Sequence, residues 1–393
     1  MIYKVNLRVI CISALLLILV LNIHYLETIY AWYNIKNIIT YYNHFEISNI
    51  DKNWYHENQV KFETYNDNNN IKTDFMGLNY TISEFSTGSH SFLFYPIYNK
   101  QNNSIWISDI LPNSGRIFEF NIEKNKFTAH NISNTDIITL LTFDKTNSNI
   151  LWYIDPIQNI IGKYNIISHE LNQYENPLDD IITGITTDNN QNLWMSIMKS
   201  NKIIKFDQLN KTFVEFDIPT PNSLPSNIIY DEIRNCIWFV ELKGQFGKLD
   251  LNTEEIIEYP NKFTDSSDTQ ILGEPVFIFL NPNDLNIYIS DHKNNNIISF
   301  DPSTETFKVY SLKVKNGLAF GITSNNNGNL WIAQHITNSI AILDPKTGEN
   351  IQVDIPKGSL VQYVITDKND NIWFVNQQID GLSSINIKKN IYL

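Results

Sequence analysis

The chain has 393 residues, 42% hydrophobic and 13% aromatic, so it is neither a disordered polypeptide nor too small to bury a substantial core. A net charge of −13 argues against the clustered Lys and Arg that a nucleic-acid surface needs to neutralise phosphates, and no nucleic-acid partner is expected. The two cysteines, Cys11 and Cys236, fall in unrelated contexts, which excludes a disulfide framework or a thiolate metal site.

The first element is the apolar run "VICISALLLILVL", residues 9–21, which follows Lys4 and Arg8. It predicts a transmembrane anchor, or an uncleaved signal sequence, over residues 9–24. A cleaved signal would end in small residues, whereas "NIHYLETIYAWY" is bulky and aromatic. The basic start places residues 1–8 in the cytoplasm and the remainder outside, giving a single-pass protein of the cell membrane. Residues 25–76 are rich in Asn, Asp and Tyr without a sustained period, and read as a polar stalk.

From residue 77 to 393 the chain repeats. Aromatic strands recur at "SIWISD" (Trp106), "ILWYID" (Trp152), "NLWMSI" (Trp194), "CIWFVE" (Trp238), "NIYISD" (Tyr288), "NLWIAQ" (Trp331) and "NIWFVN" (Trp373), 42 to 50 residues apart. Each follows an apolar strand and an Asn/Asp/Gly-rich turn, and precedes a third strand such as "NKIIKFD" and a fourth such as "FVEFDIP". Four short antiparallel strands per repeat make a propeller blade. The expected fold is therefore all-β, a seven-bladed propeller. The chain stops after a third strand, while an unpartnered fourth-strand pattern, "YTISEFS" at 80–86, precedes the first blade; pairing the two closes the ring and removes its exposed edges. Trp331, with tryptophan counterparts in five other blades, reads as an inter-blade packing residue.

In such a wheel the ends of the second strands meet the starts of the inner strands at one mouth of the axial channel. The third residue after each aromatic is Asp109, Asp155, Ile197, Glu241, Asp291, Gln334 or Asn376. The four acids, with Gln334 and Asn376, predict a ligand-binding mouth suited to a polar ligand or a divalent ion, since hard ions want several oxygen ligands. His292 and His335 stand four places after their aromatics, and His90 stands near the first inner strand. A histidine there suits general acid-base work because its ordinary pKa lies near neutrality. No phosphate-binding glycine loop, nucleophile elbow or H-E-x-x-H pair occurs.

The repeat, best seen in "NLWMSIMKSNKIIKFDQLNKTFVEFDIPTPNSLPSNI", resembles that of the streptogramin (virginiamycin B) lyases over roughly residues 80–390. The resemblance implies a seven-bladed propeller whose lyase members open a cyclic depsipeptide by elimination at its ester bond, with Mg²⁺ at one mouth. In that family histidines begin the inner strands in "P-H-G-I" or "P-H-A-I". Here those places read "SNII" around Asn227, "VFIF" around Phe277, "AFGI" at 319–322 and "QYVI" around Tyr363. Only His90 matches such a histidine, given a longer first loop, and His335 falls where the family places a glutamate; these two are the catalytic candidates. The expectation is a monomeric, membrane-tethered extracytoplasmic propeller that binds a small molecule or a protein at its acidic mouth. The alternative is a Mg²⁺- or Ca²⁺-dependent enzyme, either a carbon–oxygen lyase of the streptogramin type or a lactone hydrolase. A purely structural surface component is the third reading.

Overall fold

The structure is a computed structural model and describes residues 72–73, 79–259, 271–314 and 317–387. The predicted anchor and nearly all of the predicted stalk lie outside the described residues. No helix among the described residues is long and apolar enough to cross a membrane.

Seven antiparallel sheets follow one another along the chain: blade 1 (93–131), blade 2 (140–175), blade 3 (182–217), blade 4 (225–258), blade 5 (275–311), blade 6 (319–354) and blade 7 (364–387). In blades 1 to 6 the four strands run in order from inner to outer, every pair joined as a hairpin. Blade 7 takes its outer strand from the other end of the chain: Asn79–Ser86 pairs with Gly381–Ile387 from Tyr80↔Ile387 to Ser86↔Gly381. A two-residue strand, Lys72–Thr73, adds to the same sheet. The expected closure is present, and it joins residues about 300 positions apart without a covalent staple.

The second strands are buried on both faces, which explains why they read as nearly continuous apolar runs rather than alternating ones. Their aromatic residues fill the space between blades. Trp106, Trp152, Trp238 and Trp331 are all fully buried. In blades 2, 3 and 4 the lysine paired with the tryptophan on the third strand lies over its ring: Lys163 at 5.4 Å, Lys205 at 5.8 Å and Lys248 at 5.7 Å from the centroid. These stems cover the outer side of the indole while the ammonium stays near water.

Asparagines in left-handed backbone build the turns between second and third strands, including Asn159 (φ 57°), Asn201 (φ 57°), Asn295 (φ 51°) and Asn338 (φ 49°). The short amide side chain tolerates that conformation and bonds locally. Asn201 Nδ2 donates to the carbonyls of Ile218 and Thr220, and Asn295 Nδ2 to that of Val314. Each side chain thus ties its hairpin to the linker that leads to the next blade, which fixes the mouth-side rim.

Candidate functional site at the axial mouth

The inner strands set the channel wall. Most carry a register shift near their start, between Leu93 and Pro96, Ile182 and Gly184, Pro225 and Asn227, Pro275 and Phe277, and Ala319 and Ile322. Such bulges re-aim side chains. Gly321 donates its N–H to the carbonyl of Gln362 at 2.8 Å, and a Cβ on it would lie 2.7 Å from that oxygen, so blades 6 and 7 approach closely here.

The wall differs between its two halves. On blades 3 and 4 it carries hydroxyls that reach the next inner strand: Thr183 Oγ1 donates to the Pro225 carbonyl at 2.8 Å and Ser226 Oγ to that of Pro275 at 3.1 Å. From blade 5 round to blade 1 it is aromatic. Tyr363 is the hub, 4.5 Å from Tyr95, 5.2 Å from Phe320, 5.4 Å from Phe94 and 6.0 Å from Phe277 between ring centroids, all edge-on. Edge-to-face packing at these distances is the favoured geometry. One ring at the entry to blade 7 thus touches residues of blades 1, 5 and 6, and the cluster makes an aromatic floor shared by the inner strands. Burial holds the Tyr95 phenol up at about 12 and, with Tyr95 contributing, raises Tyr363 well above the ordinary phenol range, so both stay neutral donors.

His292 and His335 stand beside this floor. His292 lies edge-on to Phe320 at 5.8 Å. Both are nearly inaccessible, and neither nitrogen of His292 nor Nδ1 of His335 has a hydrogen-bond partner. Burial, then the charge of His335, lowers His292 to about 4, and burial likewise lowers His335. The structure therefore brings together two neutral imidazoles from adjacent blades, each able to donate or accept. Ser290 Oγ and Gln334 Nε2, on the same two second strands, are also buried and unpartnered. So many unsatisfied polar atoms in one place are unusual in a folded interior.

The other predicted residues are placed differently. His90 is exposed, beside Asp380 at 3.7 Å, and its carbonyl accepts from Arg116. All seven strand-end residues are fully buried. Asp109 accepts from the N–H groups of Phe92 and Leu111, and its other oxygen takes Arg116 Nε at 3.0 Å and Nη2 at 2.6 Å. Asp155 accepts from the N–H groups of Asp136, Ile157 and Gln158; burial still raises its pKa, against the pull of those bonds. Asp291 accepts from Gly273, Glu274 and Asn294. Gln334 accepts from Ser339, and Asn376 donates to Glu84 and Ser383. These side chains cap hairpins and hold linkers. Glu241 alone has neither oxygen partnered. Among the described residues no three His, Cys, Asp or Glu side chains converge as a metal cage, so the mouth does not fit the family's Mg²⁺ through those aspartates.

The floor was not identified from sequence. Its signal lay in the substitutions at the inner-strand starts: Phe277, Phe320 and Tyr363 occupy the stretches where the lyase pattern has histidine.

No protein-family model matches the chain, and no curated protein matches it in sequence. Solved structures do. A streptogramin B lyase superposes with a TM-score of 0.68 at 18% identity over 79% of this chain and 98% of the other. A catalytically inactive virginiamycin B lyase from Staphylococcus aureus with quinupristin gives 0.67 at 19%, over 79% and 100%. The extracellular domain of a proposed hybrid two-component system from B. thetaiotaomicron gives 0.61 at 15%, over 77% of this chain and 39% of that one. The chain resembles the streptogramin lyases and carries their fold, a seven-bladed propeller of four-stranded antiparallel blades.

Proposed function

We propose that this protein is a membrane-tethered, extracytoplasmic propeller that binds a small, largely apolar molecule at its mouth, on the arc of blades 5 to 7. The observation that carries the reading is the pair His292 and His335, neutral and with three of their four ring nitrogens unpartnered, beside the floor built on Tyr363. A ligand with a flat or branched apolar face and a few carbonyl or hydroxyl groups satisfies both features. The anchor over residues 9–24 supports the tether, and the likeness to the extracellular domain of a sensor system is consistent with a receptor role.

The second reading is elimination at an ester, supported by the likeness to lyases and by His335, a neutral imidazole of the kind a general base requires. His90 keeps a place in that reading as a solvent-side acid or base paired with Asp380. Quinupristin, which the structure of an inactive relative contains, separates the two. Incubation with the purified full-length chain, followed by mass spectrometry and calorimetry, is expected to give saturable binding without a ring-opened product. Ring opening that His335→Ala abolishes would establish the lyase. Absence of any saturable binding would overturn both readings for this ligand class. Membrane fractionation tests the tether: the chain should sediment with membranes and lose that property when residues 1–24 are removed.

A further inference from the structure

We propose that the hairpin between the second and third strands of blade 4 binds a hard divalent cation, Ca²⁺ or Mg²⁺, through Glu241, Gln245 and Glu258.

The register places the three side chains together. Glu241 and Gln245 are direct partners across the hairpin, and Gly247, two residues on, pairs with Glu258 on the outer strand. Alternation along a strand therefore directs Glu241, Gln245 and Glu258 to one face of the sheet. Gly247 puts no side chain between them. A Cβ there would lie 2.6 Å from the Phe239 ring, so that ring fills the space beneath.

What gathers on this face is a set of buried side-chain oxygens. Both oxygens of Glu241 and the Oε1 of Gln245 are buried and without a hydrogen-bond partner, and Glu241 is fully inaccessible. Glu258 accepts from the N–H of Thr220 at 3.2 Å and from its hydroxyl at 3.0 Å, which leaves each oxygen a further lone pair. Ser223, the hydroxyl near Glu241, already donates to Asn201 Oδ1 at 2.8 Å. A cation finds five oxygens from two carboxylates and an amide, the ligand chemistry of Ca²⁺ and Mg²⁺, with no thiolate or imidazole among these three side chains to favour a softer metal.

Electrostatics agree with the geometry. Among the described residues no lysine or arginine acts on Glu241 to offset the neighbouring charge of Glu258. A bound divalent ion supplies the missing positive charge. The three side chains all belong to blade 4, whereas the aromatic floor comes from blades 1, 5, 6 and 7, and the site does not depend on the ligand reading: the titration below contains no organic ligand.

Calorimetric titration of the full-length chain with CaCl₂ and with MgCl₂ near neutral pH tests it. The expected result is one saturable site per chain for at least one of the two ions. Glu241→Gln should weaken binding at least tenfold, as should Gln245→Ala, which leaves both carboxylates in place. Asp155→Asn, in blade 2, should leave it unchanged. No binding of either ion overturns the proposal, as does binding that Glu241→Gln and Gln245→Ala leave intact. In that case Glu241 and Glu258 merely share a proton.

Discussion

The indole N–H of Trp194 donates to Asp188 Oδ2 at 2.8 Å, from the turn that precedes its own strand. Trp238 does the same to Asp231 at 3.0 Å and Trp373 to Asp367 at 2.9 Å. Trp331 is equally buried but its N–H has no acceptor, because Asn325 stands where those blades have aspartate and spends its oxygen on the N–H groups of Asn327 and Asn329. Asn325→Asp should therefore stabilise the protein by up to about 1 kcal/mol, and Asp188→Ala should destabilise it by about 1–3 kcal/mol, by losing the acceptor and the turn cap together. Thermal melts of the two variants check both signs.

Closure rests on the outer strand of blade 7 coming from Asn79–Ser86. Removing residues 1–86 exposes the edge of Gly381–Ile387 and uncovers Tyr80's neighbours in the core shared by blades 6 and 7. The truncated chain should melt at a markedly lower temperature and aggregate on heating. A melt equal to the full chain's would show that the ring does not need this strand.

Stability should depend on pH through two buried groups of opposite sign. His292 has its pKa lowered from 6.5 to about 4, so as pH falls below 6.5 the unfolded chain takes up a proton that the folded chain refuses, and stability is lost towards pH 4. His335 acts in the same direction. Glu241 is raised from 4.5 to about 8, so its contribution is intact below 4.5 and is lost as pH rises towards 8. Glu241→Gln should remove the decline between pH 6.5 and 8, while His292→Phe should reduce the acid-side loss. Melting temperatures across this range decide it.

Tyr363 ties the aromatic floor together through four rings. Tyr363→Ala should cost about 2–3 kcal/mol and abolish quinupristin binding, because it opens the channel below the mouth. Tyr363→Phe keeps the ring and should cost under about 1 kcal/mol, with binding retained. Urea unfolding and calorimetry on the pair separate the ring from the hydroxyl.

The wheel was legible in the sequence because its signals are local and repeated: a polar turn, an aromatic residue (tryptophan in six blades, Tyr288 in blade 5) and a spacing of 42 to 50 residues recur around the ring. The scaffold role of Trp331 followed from that repetition. The mouth was read less well. Asp109, Asp155 and Asp291 are polar at a strand end, which fits a ligand site, but an aspartate two or three residues before turn N–H groups also caps its own hairpin, and that is where their oxygens go. The floor was hidden for a different reason. Phe94, Phe277, Phe320 and Tyr363 come from four blades, and their contact exists only once the ring is closed.

The central claim is that ligand enters over Tyr363 and meets the imidazoles of His292 and His335. Histidine-selective NMR during a quinupristin titration tests it most directly. The account predicts that the ring resonances of His292 and His335 shift and saturate together, while those of His130 and His169, hydrogen-bonded to Tyr164 and away from the inner strands, stay still. Saturable binding that leaves His292 and His335 unshifted would contradict it.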